Sequence, residues 1–147
     1  MRIGRIMKIH VHTVKPRDTV ARARALIEEY RINQLPVVVN RILVGIITDR
    51  DLRDARIAVA GAAEAATHAH LSAPPADKIT VESVMTTNVL TLTPAHTVAD
   101  AARLMRRERI GAIPIVEHDA RLAGILTRSD ILDAFIEANE PEGKGIE

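Results

Sequence analysis

The sequence predicts an α/β (mixed α+β) protein in which one β-α-β-β-α block occurs twice within a pseudo-symmetric domain. Three observations carry this. Residues 6–52 hold Met7, Thr13, Pro16, Thr19-Val20, Leu35-Pro36-Val37, Gly45-Ile46-Ile47-Thr48 and Asp51, and residues 84–131 repeat them as Met85, Thr91, Pro94, Thr97-Val98, Ile113-Pro114-Ile115, Gly124-Ile125-Leu126-Thr127 and Asp130. The offset is 78 residues as far as Pro36/Pro114 and 79 from Gly45/Gly124 onward, so the second copy has one extra residue in the turn between two strands. Hydrophobic residues make up 47% of the 147 but aromatics only 1%, so the core is built from Ile, Val, Leu, Ala and Met. A repeat of this length exceeds a solenoid unit, and two halves in so short a chain most simply pack into one domain with related clefts between them.

Each copy opens on a short turn, Ile3-Ile6-Met7 or Val81-Val84-Met85, and continues into an extended segment at Val11–Thr13 or Val89–Thr91. Pro16 and Pro94 turn the preceding residues away from helix. The first long helix starts near Thr19 and Thr97. Thr97-Val98-Ala99-Asp100 fits a capping box with Asp at its last position, whereas Arg22 leaves the first copy a weaker cap. Val20, Ala23 and Ile27, and Val98, Ala101 and Met105, form i, i+3, i+7 stripes, with Arg22, Arg24 and Glu28 on the solvated side.

Leu35-Pro36-Val37-Val38-Val39 and Ile113-Pro114-Ile115-Val116 read as short apolar strands whose proline sits early, where a missing ladder donor is tolerated. Asn40-Arg41 and Glu117-His118-Asp119-Ala120 turn into the strands Leu43–Ile47 and Leu122–Leu126, and a second helix follows at Asp51 and Asp130. The expected organisation is repeat 1 at 1–55, an Ala/Pro-rich linker with a loose helix at 56–78, repeat 2 at 79–138, and a flexible tail at 139–147.

Composition excludes several function classes. Twenty basic and 19 acidic residues interleave to a net charge of +1, which makes neither a nucleic-acid nor a membrane surface. One Tyr, one Phe and no Trp leave no stacking platform for single strands. Without cysteine there is no thiolate chemistry. No apolar run of about 18 residues and no signal-peptide pattern occur, so a soluble cytoplasmic protein is expected.

The informative constellation is Gly-Ile-Ile-Thr48-x-x-Asp51 and Gly-Ile-Leu-Thr127-x-x-Asp130. A strand ends, a Thr caps the next helix, and an Asp stands in its first turn. One reading is capping alone. The other uses the same junction as a ligand site: helix-start amides meet an anion, the hydroxyl adds a donor, and the carboxylate accepts from vicinal ribose hydroxyls. Arg50 and Arg128 stand beside these residues, either as phosphate partners or as exposed surface arginines.

In order, spacing and duplication, the segments Thr13-Val14-x-Pro16-x-x-Thr19-Val20, Leu35-Pro36-Val37-Val38 and Gly45-Ile46-Ile47-Thr48-x-x-Asp51, with their counterparts, resemble a tandem cystathionine-β-synthase (CBS) domain pair, the Bateman module. The resemblance covers residues 1–136. Thr48-Asp49-Arg50-Asp51-Leu52 and the Ala-rich spacer are similar to stand-alone prokaryotic CBS-pair proteins, including the acetoin-utilisation type. It implies a non-catalytic regulatory module, commonly a homodimer, with no required cofactor, whose clefts bind AMP, ADP, ATP or S-adenosylmethionine. In one cleft the resemblance places Thr127 and Asp130 on phosphate and ribose with Arg128 beside them, adenine near Met7, His12, Ile32 and Asn33, and Gly111 and Ala112 facing the phosphates. In the other it places Thr48 and Asp51 on the ribose with Arg50 beside them, Met85, Leu90 and Ile110 along the base, and Asn33 and Gln34 near phosphate. Where some members carry His or Arg before the proline strand, this chain has Asn33-Gln34 and Gly111-Ala112, so phosphate charge would fall to Arg50, Arg128, Arg31 or Arg109.

The alternative is a ligand-free scaffold for an unknown protein target. His10-x-His12 and His68-x-His70 lack the further ligands zinc requires, and no nucleophile–base set accompanies Ser72, Ser83 or Ser129, so neither a metal site nor an enzyme is expected.

Overall fold

The computed structural model describes residues 1–55 and 76–141. The chain forms two compact units, one from Met1–Val11 with Leu90 onward, the other from His12–Val89. These units do not coincide with the sequence repeats. Each repeat's lead-in turn packs into the unit that holds the body of the other repeat.

In the His12–Val89 unit, α1 (Val20–Tyr30) precedes the antiparallel strands β1 (Gln34–Val39) and β2 (Ile42–Thr48), and α2 is helical over residues 49–55. After a 3-10 turn at Ala76–Lys78, the single turn α3 (Val81–Val84) completes it. In the other unit a 3-10 turn at Ile3–Arg5 accompanies α4 (Val98–Glu108), the hairpin β3 (Ala112–Glu117) and β4 (Arg121–Thr127), and α5 (Arg128–Asn139). α5 thus takes in Asn139, where a tail was expected. The linker helix expected at 56–78 lies almost wholly outside the described residues, as does the tail beyond 141.

The stripes behave as their spacing predicts. Val20, Ala23 and Ile27 join Leu35, Val37, Ile47 and Val81 in one core. Ala101 and Met105 join Ile3, Ile113, Ile115 and Leu126 in the other, while Val98 stays half-buried. Thr19 accepts only from the Arg22 amide, because Arg22 has no carboxylate to reach back. Thr97 and Asp100 close a reciprocal capping box, with bonds of 3.0 and 3.1 Å.

The extended segments expected at Val11–Thr13 and Val89–Thr91 form no strand, and a single bridged residue follows each of them. Val14 sits parallel to Val37, donating to the Pro36 carbonyl and accepting from Val38, and Leu92 does the same beside Ile115. Pro16 and Pro94 stop any longer ladder, since proline offers no N–H. Both hairpins carry a bulge, between Val37/Val38 and between Ile115/Val116. Asn40 and Arg41 turn the first with positive φ (49° and 68°), as a two-residue hairpin loop demands. Asp119 and Ala120 do so in the second (57° and 62°), which identifies His118 as the extra residue.

The repeated glycines have a steric reason. Lys8 exchanges two 2.9 Å backbone hydrogen bonds with Ile125, and Thr86 exchanges two with Ile46, which lays the lead-in segments across β4 and β2. A Cβ on Gly124 would stand 2.6 Å from the Lys8 carbonyl oxygen, while one on Gly45 would stand 2.6 Å from the Met85 sulfur. A thioether can swing aside and a hydrogen-bonded carbonyl cannot. Gly124→Ala is therefore expected to cost about 2–3 kcal/mol and Gly45→Ala about 1 kcal/mol in urea unfolding; equal costs would contradict this account.

Asp100 supplies a pH test. The Thr97 amide, then the Thr97 hydroxyl, hold its carboxyl below the ordinary value of 3.8; desolvation opposes them, and Arg103 and then His96 add lesser downward pulls. A carboxyl depressed in the folded state stabilises above its unfolded pKa, and that stabilisation disappears as pH falls through the folded value. Asp100→Asn is expected to lower Tm at neutral pH, with the gap to the parent closing in strong acid; a gap that persists there would show that the charge is not the cause.

Candidate functional site

Each unit ends a strand on a threonine and starts a helix with the predicted acidic residue at its third position. In the unit with α5, the Thr127 amide donates to Asp130 Oδ2 at 2.7 Å and its hydroxyl donates to the same oxygen at 2.9 Å. The Asp130 amide reaches Thr127 Oγ1 at 3.4 Å. In the unit with α2, the Thr48 amide donates to Asp51 Oδ2 at 2.9 Å and the Asp51 amide to Thr48 Oγ1 at 3.1 Å. Both are capping boxes, so the capping reading of the motif is correct as far as it goes.

The amide cradle expected at these junctions is largely consumed. The Arg128 amide donates to the Gly111 carbonyl and the Asp49 amide to the Asn33 carbonyl, while the third-position amides go to threonine. An anion arriving here must be met chiefly by side chains.

Two residues that sequence reasoning passed over complete the surroundings. Lys8 Nζ stands 3.4 Å from Asp130 Oδ1; the carboxylate is 9% exposed and the lysine 58%. The Thr86 hydroxyl faces Asp51 at 3.4 and 3.5 Å, distances that make weak hydrogen bonds. Their signal was present, since each directly follows a repeat-matched methionine, Met7 or Met85.

The remaining predicted residues divide by unit. Met7, Gly111, Ala112 and Arg128 share the unit of Thr127 and Asp130, while His12, Ile32 and Asn33 belong to the other. Gln34, Arg50 and Met85 share the unit of Thr48 and Asp51, while Leu90 and Ile110 do not. Met7 and Met85 pack partly buried on their cores, as do Ile32 and Ile110. Ala112 is buried, and Gln34 pairs in register with Thr48. Leu90 is exposed, and the His12 ring stacks on Tyr30 at 3.7 Å.

Arg31 and Arg109 end α1 and α4 in the left-handed region. The Arg128 guanidinium carbon would lie 3.8 Å from a Cβ on Gly111. Arg109, Arg106 and Arg128 border a groove of about 390 Å³ between α4 and α5, floored by Ala102, Met105, Ile131 and Leu132. Among the described residues no cluster of His, Asp or Glu fits a metal ion, and no helix is long and apolar enough to cross a membrane.

Two α/β units, each presenting the same Thr-capped acidic helix start, define a tandem-repeat protein of mixed α/β class. The family model of the CBS domain matches residues 3–58 and again 81–137, and the chain belongs to that family as a tandem CBS domain pair. A CBS domain-containing protein of Dictyostelium discoideum is 33% identical over 146 residues, covering 95% of this chain and 94% of the relative. Inosine-5′-monophosphate dehydrogenase of Korarchaeum cryptofilum is 33% identical over 121 residues, and the match spans 82% of this chain but only 21% of the dehydrogenase. Three solved structures share the fold. CBSX2 of Arabidopsis thaliana, solved in complex with AMP, has a TM-score of 0.76 at 27% identity, covering 95% of this chain and 98% of that one. The CBS domain pair of protein MJ0100, solved with 5′-methylthioadenosine and S-adenosyl-L-methionine, has 0.73 at 27% with the same coverage. A Vibrio cholerae protein assigned to acetoin utilization (AcuB) has 0.75 at 28%, covering 96% and 98%.

Proposed function

We propose that this chain is a non-catalytic regulatory module that binds adenosine-containing ligands, among AMP, ADP, ATP and S-adenosylmethionine, at its two Thr-x-x-Asp junctions. The observation that carries the reading is the duplicated carboxylate itself. In each unit one oxygen is committed to the capping threonine amide, and among the described residues the other meets Lys8 at 3.4 Å or Thr86 at 3.4 Å. A carboxylate oxygen with remaining lone-pair capacity suits a vicinal diol. The AMP and S-adenosylmethionine complexes of the similar CBS pairs support the same ligand class.

Binding would regulate only through a difference in affinity between two conformations, with the adenosine ligand as effector and no cofactor required. The protein would act in the cytoplasm. A homodimer is supported by α5, where Leu132, Phe135 and Ile136 form an i, i+3, i+4 apolar stripe and Phe135 is 66% exposed. A second copy of the chain would cover that stripe in a homodimer, whereas a ligand-free scaffold would use it for a different protein.

Titration calorimetry with AMP, ATP and S-adenosylmethionine is expected to give heat with at least one of them. Asp130→Ala and Asp51→Ala should each weaken one class of sites by about 10- to 100-fold, the worth of a charged hydrogen bond. Silence with all three at millimolar concentration, with no melting shift, would favour the scaffold instead. Sedimentation should give a dimer for the parent and a monomer for Phe135→Glu; a monomeric parent refutes the assembly.

A further inference from the structure

The two junctions are related by sequence repeat but differ in charge. Lys8 and Thr86 occupy equivalent positions, 78 residues apart, and both face the acidic residue of their unit. Arg128 and Asp49 are equivalent too, 79 apart, at the first helical position beside the Gly111 and Asn33 carbonyls. Cations thus stand at both places in one unit. The other has a neutral hydroxyl and an anion, the latter tied to Arg53 at 2.9 Å. Arg50 is the cation that the Thr48–Asp51 junction itself offers, and it is exposed.

We propose that the junctions select ligands by charge: the Asp130 site takes an adenosine ligand carrying a phosphate, met by Lys8, and the Asp51 site takes an uncharged or cationic adenosine ligand. This rests on the adenosine-binding reading above and assigns a different specificity to each site.

A ligand entering either site must displace the acidic residue's present neighbour. Asp130 Oδ2 is filled by the Thr127 amide and hydroxyl, so a ribose diol must use Oδ1, where Lys8 now sits. Moving in, the sugar separates the ammonium from its counter-ion. A neutral nucleoside leaves the half-exposed Lys8 to water, and the loss of its ion pair opposes binding modestly. A phosphorylated nucleoside brings its own anion, and the flexible lysine stem lets the ammonium transfer to it. Arg128, over Gly111, adds a second positive charge in the same unit. At Asp51 the group displaced is a hydroxyl at 3.4 Å, which costs little, and no cation is released to reward a phosphate. Asp49, paired with Arg53, offers one no positive charge.

The test exchanges the repeat-equivalent residues in the full chain and titrates AMP and adenosine against each protein. Lys8→Thr is expected to weaken AMP about tenfold while leaving adenosine unchanged or tighter. Thr86→Lys is expected to strengthen AMP at the site that Asp51→Ala removes. If both ligands bind and the AMP-to-adenosine preference is the same in parent and variants, the charge assignment is wrong and the adenosine-binding reading survives. If the parent binds neither, both fall. Should Lys8→Thr not fold, Thr86→Lys decides alone, because an AMP affinity that does not rise overturns the proposal.

Discussion

A peptide lying flat on a strand organises each unit. Lys8 on Ile125 and Thr86 on Ile46 each make a pair of backbone hydrogen bonds, and the contact exists because Gly124 and Gly45 have no side chain to hold the segments apart. The same contact fixes the methionine ahead of it against the core and aims the residue after it at an acidic helix start. Core packing and site chemistry are therefore set by one approach distance. A side chain at the strand would disturb both together.

The capping box leaves room for the second duty proposed for it. Thr127 and Thr48 satisfy helix-start amides that would otherwise be orphaned, and the carboxylates held in return point one oxygen elsewhere. A structural motif copied with its fold brings along a preorganised acceptor at no added conformational cost. What distinguishes the copies is the neighbour at that second oxygen. Divergence at a single position after the methionine changes the electrostatics of a site while its backbone stays the same.

Much of this was legible in the sequence. The stripes on α1 and α4, the capping box at Thr97, the proline-bearing strands and the inserted turn residue all follow from local periodicity and turn chemistry, which a single segment determines. Family resemblance suggested the acidic helix starts as ligand groups, and the proposed function rests on that suggestion. The exchange of lead-in segments was not legible, because it is a choice between two similar apolar partners, and Ile3-Ile6-Met7 suits either core by composition. The reduction of each first strand to one bridge was hidden for a related reason: Pro16 and Pro94 signal where extension ends, not how little of it is paired. Lys8 and Thr86 escaped notice because their importance is spatial and their types differ, so a search for identical repeat positions passes over them.

The exchanged lead-in segments bear on how the chain reaches its native state. Ile3 donates its amide to the His96 carbonyl, and Val98 donates to that of Met1. Contacts across so many residues close large loops and slow the search. On a ribosome, the first repeat would emerge without Val81, a wholly enclosed member of its interior. Ile3 in turn finds its enclosing partners Ile113, Ile115 and Leu126 only once the second repeat is made. Each repeat thus closes its interior with residues of the other, and the two would have to mature together.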